Sequence, residues 1–208
     1  MATITSERLK QLAPNIRPEL ALVYAEALEA ALSFADLTKP LRVRHFMAQI
    51  AHESGGFRAL TESTAYKDPH RLDVLFRNVQ GLAHAQRLIA DGPQAIANTI
   101  YANKLGNGGP ASGDGFRFRG RGFMMITGRS NYRQLGKLTG MPLEDEPELL
   151  GDPGPAAEAA ARFWDSRRIN LAADKNDVGA VTALVNGPAK LHLAERTALL
   201  AKAATIWK

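Results

Sequence analysis

A mainly helical fold follows from three features of the sequence. Apolar residues recur at spacings of three and four along most of the chain, strict period-two runs are nearly absent, and glycine and proline fall at the joints between periodic segments. At 208 residues, with 45% hydrophobic and 23% charged side chains, the chain can bury a sizeable core and has the composition of an ordinary globular protein. One compact unit with at most a small β element is expected.

The first clear helix is 18–32, PELALVYAEALEAAL, in which Leu20, Val23, Tyr24, Ala27, Leu28 and Ala31 form an apolar stripe. The second opens near Thr38 and Pro40, a hydroxyl placed to cap and a proline tolerated in the first turn. It turns Val43, Phe46, Met47, Ile50 and Ala51 inward and stops at Gly55-Gly56, which admit the left-handed backbone that ends helices. Glu53 therefore falls in the last turn, where the negative end of the helix dipole and burial are expected to favour its protonated form.

Residues 70–104 read as two or three shorter helices, broken at Gly81 and at Asp91-Gly92-Pro93. Residues 105–122, LGNGGPASGDGFRFRGRG, form a long irregular stretch of the kind that often carries function. Within it Arg117, Arg119 and Arg121 interleave with Phe116, Phe118 and Phe123. That period of two predicts an edge strand with its aromatic face inward and its basic face in solvent. A short strand at 123–126 is expected next, then Thr127 and a helical segment, and finally three helices near 156–168, 177–185 and 191–207.

The net charge of +5 and isoelectric point near 9.6 favour a polyanionic partner such as nucleic acid, anionic lipid or an acidic bacterial wall. Nucleic acid is set aside, because the Arg-Phe alternation suits an edge strand and the glycine-rich stretch lacks the Gly-Lys-Ser/Thr ending of a phosphate loop. The absence of cysteine excludes disulfides and thiolate chemistry. Glu7, Arg8 and Lys10 stand where a secretory signal would place its apolar centre, so synthesis in the cytoplasm without a signal peptide is expected. His52-Glu53 is half of a helical zinc motif, but position 56 is Gly, and His45, His70, His84 and His192 show no ligand spacing. No metal is expected.

Residues 52–62, HESGGFRALTE, place two carboxylates around the Gly-Gly break, with Glu53 ending a helix and Glu62 on the following loop. Acid-base hydrolysis of a sugar chain needs such a pair, one carboxylic acid to protonate the leaving oxygen and a second group roughly 6.5–9.5 Å away to activate water when the reaction inverts. Asp68 is close enough in sequence to compete with Glu62.

HESGGF at 52–57, YANKLGNG at 101–108, GDGFRFRGRGFMMITGRSNY at 113–132 and VTALVNG at 181–187 together resemble glycoside hydrolase family 19, the chitinases and chitinase-like phage endolysins. The likeness spans about residues 45–200 and is greatest to the endolysin branch. It implies a lysozyme-like, two-lobed helical fold with a central cleft, and an inverting mechanism with no cofactor. A single catalytic domain over 1–208 is then expected, with a smaller helical lobe at roughly 66–104 and no separate wall-binding domain.

In that frame Glu53 corresponds to the general acid, Glu62 to the base, and Thr127 to the hydroxyl that holds the attacking water. Asn131 and Asn186 correspond to substrate-binding asparagines, and His52 is grouped with them, bracing the acid's surroundings by hydrogen bonding. Arg196 corresponds to a basic residue of the substrate site that tunes the base. Met125 departs from the family's usual Gln, which weakens the case for a chitin-type substrate.

The expected reaction is hydrolysis of β-1,4 bonds in peptidoglycan glycan strands by a monomeric lytic enzyme acting in the periplasm and wall after passage by a holin-type protein. Chitin oligomers as substrate, or a non-catalytic glycan-binding module, are the alternatives. The final helix, with Arg196, Lys202 and Lys208 beside Leu193, Leu200 and Trp207, adds a weak contact with anionic membrane as a further alternative.

Overall fold

A computed structural model describes residues 3–208. Among them lie α1 (Ser6–Leu12), α2 (Pro18–Ala31), α3 (Pro40–Glu53), α4 (Pro69–Leu75), α5 (Leu82–Asp91), α6 (Pro93–Ile100), α7 (Asp114–Arg117), α8 (Arg129–Thr139), α9 (Pro153–Ser166), α10 (Asn170–Ala173), α11 (Val178–Asn186) and α12 (Leu193–Ile206). Helical residues make up 62% of the described residues, about twice the usual share. The mainly helical expectation holds. The β structure among the described residues consists of isolated bridges, Thr61 to Arg121 and Arg121 to Ile126.

The chain folds into two compact units. Of the described residues, the first comprises 3–60, 122–125 and 149–208; the second comprises 61–121 and 126–148.

In the first unit α3 is the central helix. Proline occupies its first turn, and Val43, Phe46, Met47, Ile50 and Ala51 are at most 1% exposed, each large side chain contributing about 1.5–3 kcal/mol by leaving water. Phe46 meets Trp164 of α9 edge-on, ring centroids 5.4 Å apart. Thr38 does not cap α3, as the sequence suggested; its hydroxyl donates to Asp36 Oδ1 at 3.0 Å. The helix ends as expected, with Gly55 and Gly56 at φ 59° and 78° and the Gly56 N–H closing on Ala51 O at 2.7 Å. α1 was not legible as a helix in the sequence, although Thr5 caps it by accepting from the Arg8 N–H at 3.3 Å. Of the residues that suggested membrane contact, Arg196 of α12 and Trp207 just after it are buried in this unit.

The second unit has its own core of Leu72, Val79, Ala85, Leu88, Ile96 and Ile100 beneath α4, α5 and α6. Asp68 is committed to capping α4, its Oδ1 accepting from the His70 and Arg71 N–H groups at 3.0 and 3.3 Å. The glycine-rich stretch is more ordered than expected: it contains a 3-10 turn at Pro110–Ser112 and then α7. Asp114 fastens it to α8, pairing with Arg129 Nη2 at 2.5 Å and accepting from the Gly108 N–H at 2.9 Å.

The expected edge strand with a solvated basic face does not form. Arg121 is 5% exposed and donates to Arg117 O at 2.7 Å and to the Tyr132 hydroxyl oxygen at 3.0 Å. Tyr132 in turn donates to Arg119 O at 2.7 Å, and the Arg119 guanidinium lies 4.0 Å from the Phe116 ring centroid. The arginines satisfy carbonyls left unpaired by an irregular backbone and cover aromatic faces. The strand expected at 123–126 is likewise absent; residues 122–125 form a turn closed by the Met125 N–H on Gly122 O at 3.1 Å, with Met125 at φ 46°.

Candidate active site

Glu53 is the last residue of α3, and α12 packs against that helix. Arg196 of α12 is 1% exposed and divides its donors among three acceptors: Glu53 Oε1 at 2.6 Å, Gln49 Oε1 at 2.5 Å and Leu191 O at 3.2 Å. Gln49, one turn before Glu53, is fully buried and donates through Nε2 to the Thr182 hydroxyl on α11 at 3.2 Å. A side chain from each of three helices thus fixes one oxygen of the Glu53 carboxylate. Its other oxygen, Oε2, has no hydrogen-bond partner among the described residues.

Arg196 was expected to tune the base carboxylate; the carboxylate it pairs with is that of Glu53. His52 was expected to brace the acid through a hydrogen bond and makes none among the described residues. Its ring centroid lies 5.3 Å from that of His192. Burial, and then the Arg196 charge, depress its pKa below the usual histidine value, which leaves the imidazole neutral near pH 7. Asn186 ends α11, and its Oδ1 accepts from the Leu191 N–H at 3.1 Å, tying down the loop that leads into α12.

Glu62 belongs to the second unit, where both of its oxygens are held. Oε1 accepts from the Tyr101 hydroxyl at 2.7 Å and Oε2 from the Gly120 N–H at 3.0 Å, while the Glu62 N–H donates to Gly120 O at 2.8 Å. Burial, and then the Glu62 carboxylate, push the Tyr101 phenol well above its usual pKa, so it stays a donor. A Cβ on Gly120 would lie 3.1 Å from Glu62 Oε2 and 3.4 Å from Thr127 Oγ1. Carboxylate and hydroxyl therefore flank one backbone position, which glycine keeps clear. Asn131, exposed on α8, donates to Thr127 O at 2.7 Å and so steadies the residue that carries that hydroxyl.

Sequence reasoning missed Tyr101 and Gly120, although both lie inside motifs it had singled out. It also missed Gln49, whose only sign was a polar residue among the apolar positions of α3.

A family 19 glycosyl hydrolase domain-containing protein of Haemophilus influenzae is 35% identical to this chain over 162 residues, 78% of each sequence. The chain belongs to glycosyl hydrolase family 19. It is accordingly a glycoside hydrolase. An endochitinase of Arabidopsis thaliana is 24% identical over 165 residues, covering 79% of this chain and 46% of that protein. Among solved structures, chitinase C of Streptomyces griseus matches with a TM-score of 0.62 at 20% identity, over 98% of this chain and 92% of its own. A second bacterial family 19 chitinase matches with a TM-score of 0.57 at 16% identity, over 98% and 94%. At these identities the structural likeness establishes the shared helical fold. No family model matches the sequence.

Proposed function

We propose that this family 19 hydrolase cleaves β-1,4 bonds of peptidoglycan glycan strands with inversion, Glu53 serving as general acid and Glu62 as general base. The observation that carries the assignment of roles is the contrast between the partners of the two carboxylates. Glu53 is backed by the fixed positive charge of Arg196, which stabilises the carboxylate left when its proton passes to the leaving oxygen. Glu62 is held by two neutral donors, a phenol and a backbone N–H, which orient it without neutralising it, as a proton acceptor requires. Water held by the Thr127 hydroxyl gives its proton to Glu62 and its oxygen to the anomeric carbon, and no metal or cofactor takes part. Asn131, Asn186, His52 and Arg196 then shape the sugar site, the last by fixing Glu53.

Support for a wall substrate comes from the net charge of +5, which speeds encounter with an acidic polymer. An endolysin-type role follows from that reading, with the enzyme made in the bacterial cytoplasm, passed outward by a holin-type protein and acting as a monomer on the wall. Chitin is the competing substrate, because an endochitinase and two bacterial chitinases are among the proteins this chain resembles. Purified peptidoglycan should yield new reducing ends at least about tenfold faster than chitin oligomers, a margin of roughly 1.4 kcal/mol in transition-state binding. The reverse order would make the enzyme a chitinase, and binding without cleavage of either would make it a glycan-binding module.

The base is tested by Glu62→Gln against Asp68→Asn. Glu62→Gln should lower kcat about 10²–10⁴-fold, the usual worth of a positioned base. Asp68→Asn should leave kcat unchanged, since Asn caps a helix as well as Asp; damage from the Asp68 change alone would transfer the role. Tyr101→Phe removes a hydrogen bond to a charged group, worth about 1.5–3 kcal/mol. It should cut kcat about 10- to 100-fold with little change in KM, and an unchanged kcat would deny Tyr101 a part in positioning the base.

A further inference from the structure

The second unit contains a pocket of about 550 Å³ whose lining is cationic and amide-rich. Arg77, His84 and Lys104 contribute the basic groups, Gln80 and Asn103 contribute amides, and Thr99 contributes a hydroxyl; no Asp or Glu lines it. The Arg77 guanidinium has no hydrogen-bond or ion-pair partner among the described residues, and the same holds for the side-chain amides of Gln80 and Asn103. Lys104 uses one donor on Ile100 O at 2.9 Å and keeps the others. The Gln80 N–H donates to His84 Nδ1 at 3.0 Å, which leaves the ring hydrogen on Nε2 as a further donor. The walls are fixed by Asn78, whose Nδ2 donates to Thr99 O at 2.9 Å and Ala102 O at 3.2 Å. The nearby Asp73 carboxylate is engaged by the Gly81 N–H at 2.9 Å.

Unspent donors around a space of this size suit a ligand that brings acceptors and is larger than a lone ion. A planar guanidinium fork matches a carboxylate, and unpaired side-chain amides match peptide groups. We propose that this pocket is a subsite for the carboxylate-bearing peptides of a peptide-substituted glycan strand, an inference that rests on the wall substrate proposed above. It would make peptide substitution a determinant of which strands the enzyme engages. The segment 99–104 that forms one wall also carries Tyr101, whose hydroxyl holds Glu62. A peptide seated there therefore steadies the residue that orients the base.

The test uses the whole enzyme and its Arg77→Gln/Lys104→Gln double variant, both substitutions being on exposed side chains. Three probes are titrated by isothermal calorimetry: a soluble disaccharide–tetrapeptide, the same fragment with its carboxylates amidated, and inorganic phosphate. The wild type should bind the acid form about tenfold more tightly than the amide form, and the double variant should lose that difference. Hydrolysis of peptide-bearing glycan should fall about tenfold in kcat/KM in the double variant, while hydrolysis of peptide-free glycan stays unchanged. Equal binding of the acid and amide forms, or displacement of the acid form by low millimolar phosphate, overturns the subsite. A wild type that cleaves both glycans without the acid-amide difference rejects the pocket alone, whereas one that cleaves neither glycan rejects the function proposed above.

Discussion

Glu53→Gln should reduce turnover at least about 10³-fold while the protein stays folded, with a smaller fall in melting temperature than removal of Arg196 causes. The loss is at the upper end of what a positioned acid contributes, because a glycosidic oxygen is a poor leaving group until it is protonated. Retention of the fold follows from the local geometry. Only Oε1 of Glu53 is engaged, by Arg196 Nη2 at 2.6 Å, and the amide oxygen of Gln accepts the same bond. The amide nitrogen then takes the place of Oε2, which has no hydrogen-bond partner among the described residues, so every hydrogen bond is kept and only the counter-charge of Arg196 is lost. Activity close to wild type in a wall-clearing assay would remove Glu53 from the mechanism.

Arg196→Met should be the most destabilising single change at the site. The guanidinium is 1% exposed and the Glu53 side chain is 19% exposed, so the substitution leaves a carboxylate, the Gln49 amide oxygen and the Leu191 carbonyl without their donor. Breaking a buried pair in this way costs about 3–5 kcal/mol, which for a chain of this length lowers the melting temperature by about 6–20 °C. Arg196→Lys should not restore it, because one ammonium cannot serve three acceptors that a planar fork reaches at once. Glu53→Gln placed on the Arg196→Met background should return part of the lost stability by removing the unpaired charge, a coupling readable from a double-mutant cycle. A melting temperature unchanged by Arg196→Met would mean that the pair contributes little.

The parts of this molecule that were legible in its sequence are those set by local rules. The apolar positions of α3 and the glycines at 55 and 56 fixed where that helix lies and that Glu53 ends it, because periodicity and φ are properties of neighbouring residues. The Arg-Phe alternation at 116–121 misled for the complementary reason. A period of two describes a strand only if a partner strand exists, and here Arg121 is instead buried against Tyr132, eleven residues away on α8. Tyr101 reaches Glu62 across 39 positions, and Arg196 reaches Glu53 across 143. Neither spacing leaves a trace in composition or periodicity. Family resemblance brought Arg196 into view but not its partner, since a motif gives residue types and leaves their contacts to the fold. Asp68 was a credible rival to Glu62 until its bonds to the His70 and Arg71 N–H groups gave it a capping role.

Inversion requires one carboxyl to give a proton while the other draws one from water attacking the opposite face of the sugar. Proton NMR of a glycan digest, recorded within the first minutes before mutarotation, reads that stereochemistry directly at the new reducing end. Cleavage of a β-linked strand should release the α-anomer first. The β-anomer as first product would mean a double displacement, by an enzyme nucleophile or by the sugar's own acetamido group, and would contradict the roles given to Glu53 and Glu62.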